Sequence, residues 1–206
     1  MQALKPGAVL DGRYTLLSHI GRGGMGEVWK ARHLHLDIEV AIKFIRERWF
    51  NDETVAKRFI REARSAARLR GPHVVQVFDH GRDGRFIYIV MELLDGHSLR
   101  DLLHSQNKRL PIGMVKQVFS EIKTPIAMAH EGGIVHRDLK PGNLFLSKSG
   151  HSWTTKVMDF GLAKPFEDDA EEDLGIETRQ DTILGTPAYM SPEALNQHRV
   201  SPQMDL

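Results

Sequence analysis

Apolar residues recur at strand spacing over residues 1–93 and at helical spacing after them, and that change sets the outline of the molecule. Tyr14, Leu16, Leu17 and Ile20 mark a strand over 14–20 that runs into glycines. Residues 27–31 and 39–45 mix β-branched and other apolar side chains at strand length. The glycines between the first two strands predict a hairpin whose backbone can lie close to a ligand. A helix follows, with Asn51 or Asp52 as its cap and Glu53 in its first turn. Val55, Phe59, Ala63, Ala66 and Ala67 form its apolar stripe, and Gly71-Pro72 ends it. Residues 74–78 and 86–93 read as two further strands, the second so continuous in apolar residues that it should be buried. Residues 1–93 are therefore expected to form a five-stranded β lobe with one helix.

Residues 94–206 form the second predicted unit, which is mainly helical. Ser98 caps a short helix reaching Gln106. Ile112, Val115, Val118, Phe119, Ile122, Ile126 and His130 mark a longer one, stopped by Gly132-Gly133. Pro125 lies inside it; a mid-helix proline costs about 3 kcal/mol and frees a carbonyl, here that of Glu121, so a kink is expected. Short strands at 144–146 and 155–158 bracket a turn around Lys148-Ser149-Gly150-His151. No periodicity survives over residues 161–188, and a loop of that length in a compact domain is usually functional or mobile.

Composition narrows the classes. With 206 residues, 41% hydrophobic and 27% charged, the chain has the makings of an ordinary globular core. A formal net charge of +1 gives no global field for nucleic acid or an anionic membrane. The absence of cysteine rules out disulfides and Cys-ligated zinc, and agrees with a reducing cytoplasm. No apolar run approaches the roughly 20 residues of a membrane span, and residues 1–12 lack a secretory pattern. Eleven histidines show no metal-ligand spacing. An acidic run, Glu167 to Asp173, reads as a solvated loop face.

Four motifs carry the chemistry. His136-Arg137-Asp138-Leu139-Lys140-Pro141-Gly142-Asn143 places a candidate base, a candidate phosphate partner and a candidate metal ligand within eight residues. Downstream lies Asp159-Phe160-Gly161; upstream lie Val40-Ala41-Ile42-Lys43 and Gly21-Arg22-Gly23-Gly24-Met25-Gly26-Glu27-Val28. The glycine pattern alone is weak, since a dinucleotide-binding turn has the same spacing, but here it joins strand to strand rather than strand to helix. Glu62 shares the inner face of the first helix with Phe59 and Ala66, where a charge is costly unless paired, and Lys43 is its natural partner. Glu53, in the cap, and Glu47, beyond the strand, are worse placed.

At these residues the chain resembles the protein kinase family, in particular the bacterial Hanks-type (eukaryotic-like) Ser/Thr kinases, over residues 13–206. The resemblance implies the bilobal α+β kinase fold and transfer of the ATP γ-phosphate to a Ser or Thr hydroxyl of a protein substrate, with ATP and Mg²⁺ as cofactors. Carried over by motif, Asp138 orients or deprotonates the acceptor hydroxyl, Lys140 contacts the γ-phosphate, and Asn143 and Asp159 hold Mg²⁺. Lys43 contacts the α- and β-phosphates and is held by Glu62. Ile20, Gly21, Gly23, Gly24, Gly26 and Val28 would cover the nucleotide; Ala41 and Phe145 would sandwich the adenine, Met91 is the gatekeeper, and the hinge backbone of Glu92 and Leu94 would bond the base. His136 would pack under Phe160 as core. Arg137 would dock a phosphate carried by Thr178 or Thr182, and Thr186 would bond Asp138 and Lys140.

The same resemblance places Asp205 at the start of the central helix of the large lobe, anchoring the catalytic-loop backbone, and leaves Glu193 without its usual arginine. On that ground an incomplete large lobe is expected, with Val118, Ile122 and Ile126 meeting water and with low stability or activity. The alternative function is an inactive fragment that binds only nucleotide or a partner. The resemblance leaves room for self-association in autophosphorylation, and bacterial relatives often carry a membrane span beyond the kinase domain, so a cytoplasmic kinase domain on a membrane-anchored protein is compatible with this sequence.

Overall fold

The computed structural model describes residues 4–22, 26–45, 53–106, 109–149, 152–160, 189–192 and 201–205. Its first part is one antiparallel sheet of six strands: β1 (Val9–Leu10), β2 (Tyr14–Arg22), β3 (Gly26–His33), β4 (Ile38–Ile45), β5 (Val77–Asp83) and β6 (Phe86–Glu92), in the order β1-β2-β3-β4-β6-β5. The period-two pattern splits its residues between two cores. Val40, Ile42 and Phe44 join Tyr14, Leu16, Trp29, Ala31, Tyr88 and Val90 on the outer face, where Ala8 and Leu10 cover them. Ile45, Ile87 and Ile89 turn the other way and meet Phe59 and Ala63 of α1 (Glu53–Ala66).

The sequence reading gave five strands, and β1 is the sixth. It is only two residues long and pairs Val9 with Thr15 and Leu10 with Tyr14, too short for a periodicity to announce it. The strand expected at 74–78 is also displaced. Val74 makes an isolated parallel bridge to Val157, and β5 begins only at Val77. The buried pair Val74 and Val75 runs beside residue 157, with Val75 N donating to Val157 O and Val157 N to His73 O, whereas β5 is an edge strand of polar composition that a hydrophobic pattern does not reveal.

Beyond β6, β7 (Gly96–Ser98), β8 (Leu144–Ser149) and β9 (Ser152–Val157) form a second antiparallel sheet, β7-β8-β9. β7 falls where the sequence pattern predicts the change to helical character. Gly96 has φ +141°, and a Cβ there would overlap the Leu146 carbonyl oxygen, so glycine is what lets β7 reach β8. α2 (Leu99–Ser105) starts where expected: Ser98 Oγ accepts from Asp101 N at 3.1 Å and donates to Asp101 Oδ2 at 2.6 Å.

α3 (Ile112–Glu131) continues as helix through the buried Pro125. Its stripe Val118, Ile122, Ile126 and Ala129 packs with Leu99, Leu144, Leu146, Val157 and Phe160. The expectation that Val118, Ile122 and Ile126 would meet water is thus wrong: all three are buried, because the second sheet and α2 already cover that face. Burial of this kind stabilises by about 1.5–3 kcal/mol per side chain. Ile112, Phe119 and Met128 are the exposed large apolar residues of α3 instead. Glu121 ties α3 to β9, accepting from Thr155 N at 2.6 Å and Gln117 Nε2 at 2.9 Å. Burial alone would raise its carboxyl, but these bonds outweigh it and hold the group below its ordinary value. No helix among the described residues is long and apolar enough to cross a membrane.

Candidate active site

Register aligns the first half of the site. Gly21 lies opposite Val28, Val28 opposite Lys43, and Lys43 opposite Ile89. One step along, Ala41 faces Met91. Positions two apart share a face, so Val28, Ala41, Lys43 and Met91 all project from the face that carries α1. Ala41 and Lys43 are buried; Val28, Met91, Leu94 and Phe145 are half-buried. Ile20 is unlike them: it is the extra residue at a bulge between His19 and Gly21, and is 48% exposed.

The glycines differ in what constrains them. A Cβ on Gly26 would overlap the Phe44 carbonyl oxygen of β4, so this position is closed by the sheet itself. A Cβ on Gly21 would meet nothing within 4 Å, so space beside the backbone is open there. Gly23 and Gly24 lie outside the described residues, as do Thr178, Thr182 and Thr186, and the side chain of Glu62 with the ion pair expected from it. The partner that the structure does give Lys43 is Asp159: Nζ lies 2.7 Å from Oδ1.

The second half of the site is held by polar anchors. Lys140 Nζ lies 2.6 Å from Asp138 Oδ2. Asn143 Nδ2 donates to Asp138 O at 2.8 Å and to Asp138 Oδ2 at 3.1 Å, across the 3-10 turn Pro141–Asn143. Asp138, Lys140 and Asn143 therefore form one cluster, and it is joined to Asp159 because Met158 N donates to Asn143 O at 2.9 Å. With its amide nitrogen committed to Asp138, Asn143 has Oδ1 left as an acceptor. That oxygen and the other oxygen of Asp159 are hard donors suited to a divalent cation such as Mg²⁺.

Asp205 fixes the backbone before Asp138, as expected. Its carboxylate accepts from His136 N at 2.7 Å, Arg137 N at 2.8 Å and His130 Nε2 at 2.8 Å, with its own side chain fully buried. His136 is fully buried against Phe160, ring centroids 5.0 Å apart. Its Nε2 lies 2.8 Å from the Met158 carbonyl, which can only accept, so Nε2 carries the proton and Nδ1 accepts from Asp138 N at 3.3 Å. Burial pushes this imidazole below its ordinary value, outweighing the Met158 bond and the nearby Asp205, Asp159 and Asp138 carboxylates. Arg137 and Asp159 both adopt left-handed backbone, φ +66° and +59°, the costly kind of conformation that clusters at functional sites. Arg137 Nε is buried with no partner among the described residues.

One part of the site was missed. The sequence points to Glu92 for its backbone, yet its side chain forms a half-buried junction. Lys156 Nζ lies 2.8 Å from Glu92 Oε1, which also accepts from Gln76 N at 2.7 Å, while Glu92 N donates to Gln76 O at 2.9 Å. Lys156 sits three residues before Asp159, so β9 is tied to the end of β6. The only signal available was a lysine inside a strand, which reads equally well as a surface residue.

Residues 14–206 match the family model of the protein kinase domain, and the chain belongs to that family. It is 41% identical over 202 residues to a probable serine/threonine-protein kinase of Streptomyces coelicolor, covering 96% of this chain and 29% of that protein. It is 37% identical over 199 residues to the serine/threonine-protein kinase PknL of Mycobacterium tuberculosis, covering 97% and 47%. The chain thus spans less than half the length of these curated relatives. The PknI kinase domain of Mycobacterium tuberculosis superposes with a TM-score of 0.76 at 27% identity, over 98% of this chain and 73% of that one.

Proposed function

We propose that this chain is a serine/threonine protein kinase domain that transfers the γ-phosphate of ATP to a Ser or Thr hydroxyl on a protein. One observation carries this reading: Asp138, Lys140 and Asn143 form a single bonded cluster, joined through Met158 to the Lys43–Asp159 pair. Phosphoryl transfer asks for positioning and charge neutralisation more than for covalent chemistry, and this cluster is built for both.

Mg²⁺, when bound, would neutralise developing charge on the phosphates, and Asn143 Oδ1 and Asp159 are the oxygens that fit it. Lys43, paired with Asp159, is placed to meet α- and β-phosphate oxygens. Ala41, Met91, Val28 and Phe145 supply apolar walls for the adenine, with Leu94 N without a backbone partner among the described residues and so available to the base. Asp138 orients the acceptor hydroxyl and takes its proton, while Lys140 balances the charge beside it. The protein substrate, self-association for autophosphorylation and control through Thr178 or Thr182 belong to this same reading and rest on the family resemblance.

Phosphotransfer from radiolabelled ATP, with nucleotide titrations, tests it. Asp138→Asn should spare Mg²⁺-nucleotide binding and cut turnover by about 10²–10⁴-fold. Asp159→Asn should weaken Mg²⁺-dependent nucleotide binding itself. Equal loss of affinity in both variants, or undiminished turnover in Lys43→Met, would overturn the assignment of roles.

A further inference from the structure

Arg100, which lies in neither motif nor core, stands beside the catalytic loop. Gly142 lies between Asp138 and Asn143 in sequence, and the position of a Cβ on it would have Arg100 Nη1 at 3.8 Å, Arg100 Cδ at 3.9 Å and Lys140 Cε at 3.9 Å. The two cationic side chains thus flank a gap that a bare glycine leaves open. Their charges are not equally balanced. Lys140 is paired with Asp138 at 2.6 Å. Arg100 has one ion-pair contact among the described residues, Nε to Asp101 Oδ1 at 3.9 Å, with both side chains more than half exposed. Such an exposed, long pair contributes little, and the other oxygen of Asp101 is engaged by the Ser98 hydroxyl.

We infer that Arg100 is a specificity-determining residue that receives an acidic side chain of the protein substrate next to the phosphorylated Ser or Thr. A guanidinium offers a planar fork that matches a carboxylate in a bidentate pair. Placed at the edge of the loop that holds Asp138, it selects acceptors by charge without touching the reacting atoms. A lysine or arginine at the same substrate position would meet Arg100 and the neighbouring Lys140 and be disfavoured. The inference rests on the kinase reading above and gives it a substrate class: acceptor sites in acidic surroundings.

The test compares two peptide sets, each a Ser or Thr acceptor scanned with either glutamate or lysine at the flanking positions. With the protein as it stands, at least one flanking position should favour glutamate by about three- to tenfold in kcat/KM, carried by KM, and the preference should shrink as salt rises to about 1 M. Arg100→Ala should abolish the preference with kcat preserved, and Arg100→Glu should reverse it. Gly142→Glu, whose Cβ would sit at ordinary van der Waals distance from Arg100 and Lys140, sets a competing carboxylate beside Arg100 and should weaken the preference. Phosphotransfer with the same glutamate preference in Arg100→Ala and Arg100→Glu as in the parent would overturn the inference while leaving the kinase reading intact. Absence of phosphotransfer to every peptide, in a protein that also fails to bind Mg²⁺-nucleotide, would instead overturn the kinase reading itself.

Discussion

The two halves of the site are held in place by different physics. On the six-stranded sheet, Val28, Ala41, Lys43 and Met91 reach the same face because antiparallel register and the two-residue period put them there. In the catalytic loop, Asp138 and its neighbours have no such lattice. They are placed by side chains that reach the backbone from far along the chain: Asp205 to His136 N and Arg137 N, and His136 to the Met158 carbonyl. The first arrangement spreads its cost over many ladder bonds and apolar contacts. The second concentrates it in a few buried polar groups, where losing one partner leaves donors unsatisfied.

That contrast predicts the largest effect at Asp205. Asp205→Ala strips the acceptor from three donors at once, and each buried donor left unpaired costs about 1–3 kcal/mol. Denaturant unfolding should show a loss of several kcal/mol, and phosphotransfer should fall with it; a change below about 1 kcal/mol would mean that the loop is held by something else.

The sheet can be broken sharply only where backbone meets backbone. Gly26→Ala drives a methyl into the Phe44 carbonyl and should separate β3 from β4, lowering stability by about 1–3 kcal/mol, the usual range for overpacking. Gly21→Ala, with open space around it, should leave the melting temperature nearly unchanged and act on nucleotide affinity. Similar melting curves for the two variants would contradict the difference drawn between them.

Between the two halves lies the Glu92–Lys156 junction. Lys156→Met removes a charge-assisted bond from a largely buried pair, which should cost about 1.5–3 kcal/mol by denaturant unfolding. The loss should be accompanied by faster amide exchange at Gln76 and Glu92. Unchanged exchange there would show that the strands hold β6 to β9 unaided.

The smallest effect is the dependence on pH through His136. Its value is lowered in the fold, so between that value and about pH 6.5 the unfolded chain binds the proton that the folded chain refuses. The contribution is therefore full above about pH 6.5 and is lost as pH falls towards the folded-state value. Melting at about pH 7.5 and about pH 5.5 should show a steeper drop for the parent than for His136→Phe. Parallel drops would place the titration elsewhere.

How much of this was legible beforehand follows the same division. The strands of the sheet could be read because burial of one face writes a period of two into the sequence. Lys43, Asp138, Asn143 and Asp159 could be read because their motifs are short and rigidly spaced, and Asp205 through the resemblance that those motifs established. β1 and β7 could not, since two or three residues carry no period and their pairing depends on a partner far away. The Glu92–Lys156 junction and the place of Arg100 beside Gly142 were hidden for a related reason: each joins residues that only the folded chain makes neighbours. The mistake over Val118, Ile122 and Ile126 came from counting one covering element and overlooking another. The second sheet had been read as two short strands rather than as a surface able to bury a helix.

The strap at residues 4–10 has a practical corollary. The family match opens at residue 14, yet Ala8 and Leu10 belong to the outer core with Leu4 packed against it, and Gly7 N and Ala8 O both bond Leu16. A domain trimmed to the matched range would lose its edge strand and strip Ala8 and Leu10 from the outer core. Residues 4–12 are as much a part of the folding unit as the motifs are, and any expression boundary should be drawn ahead of Leu4.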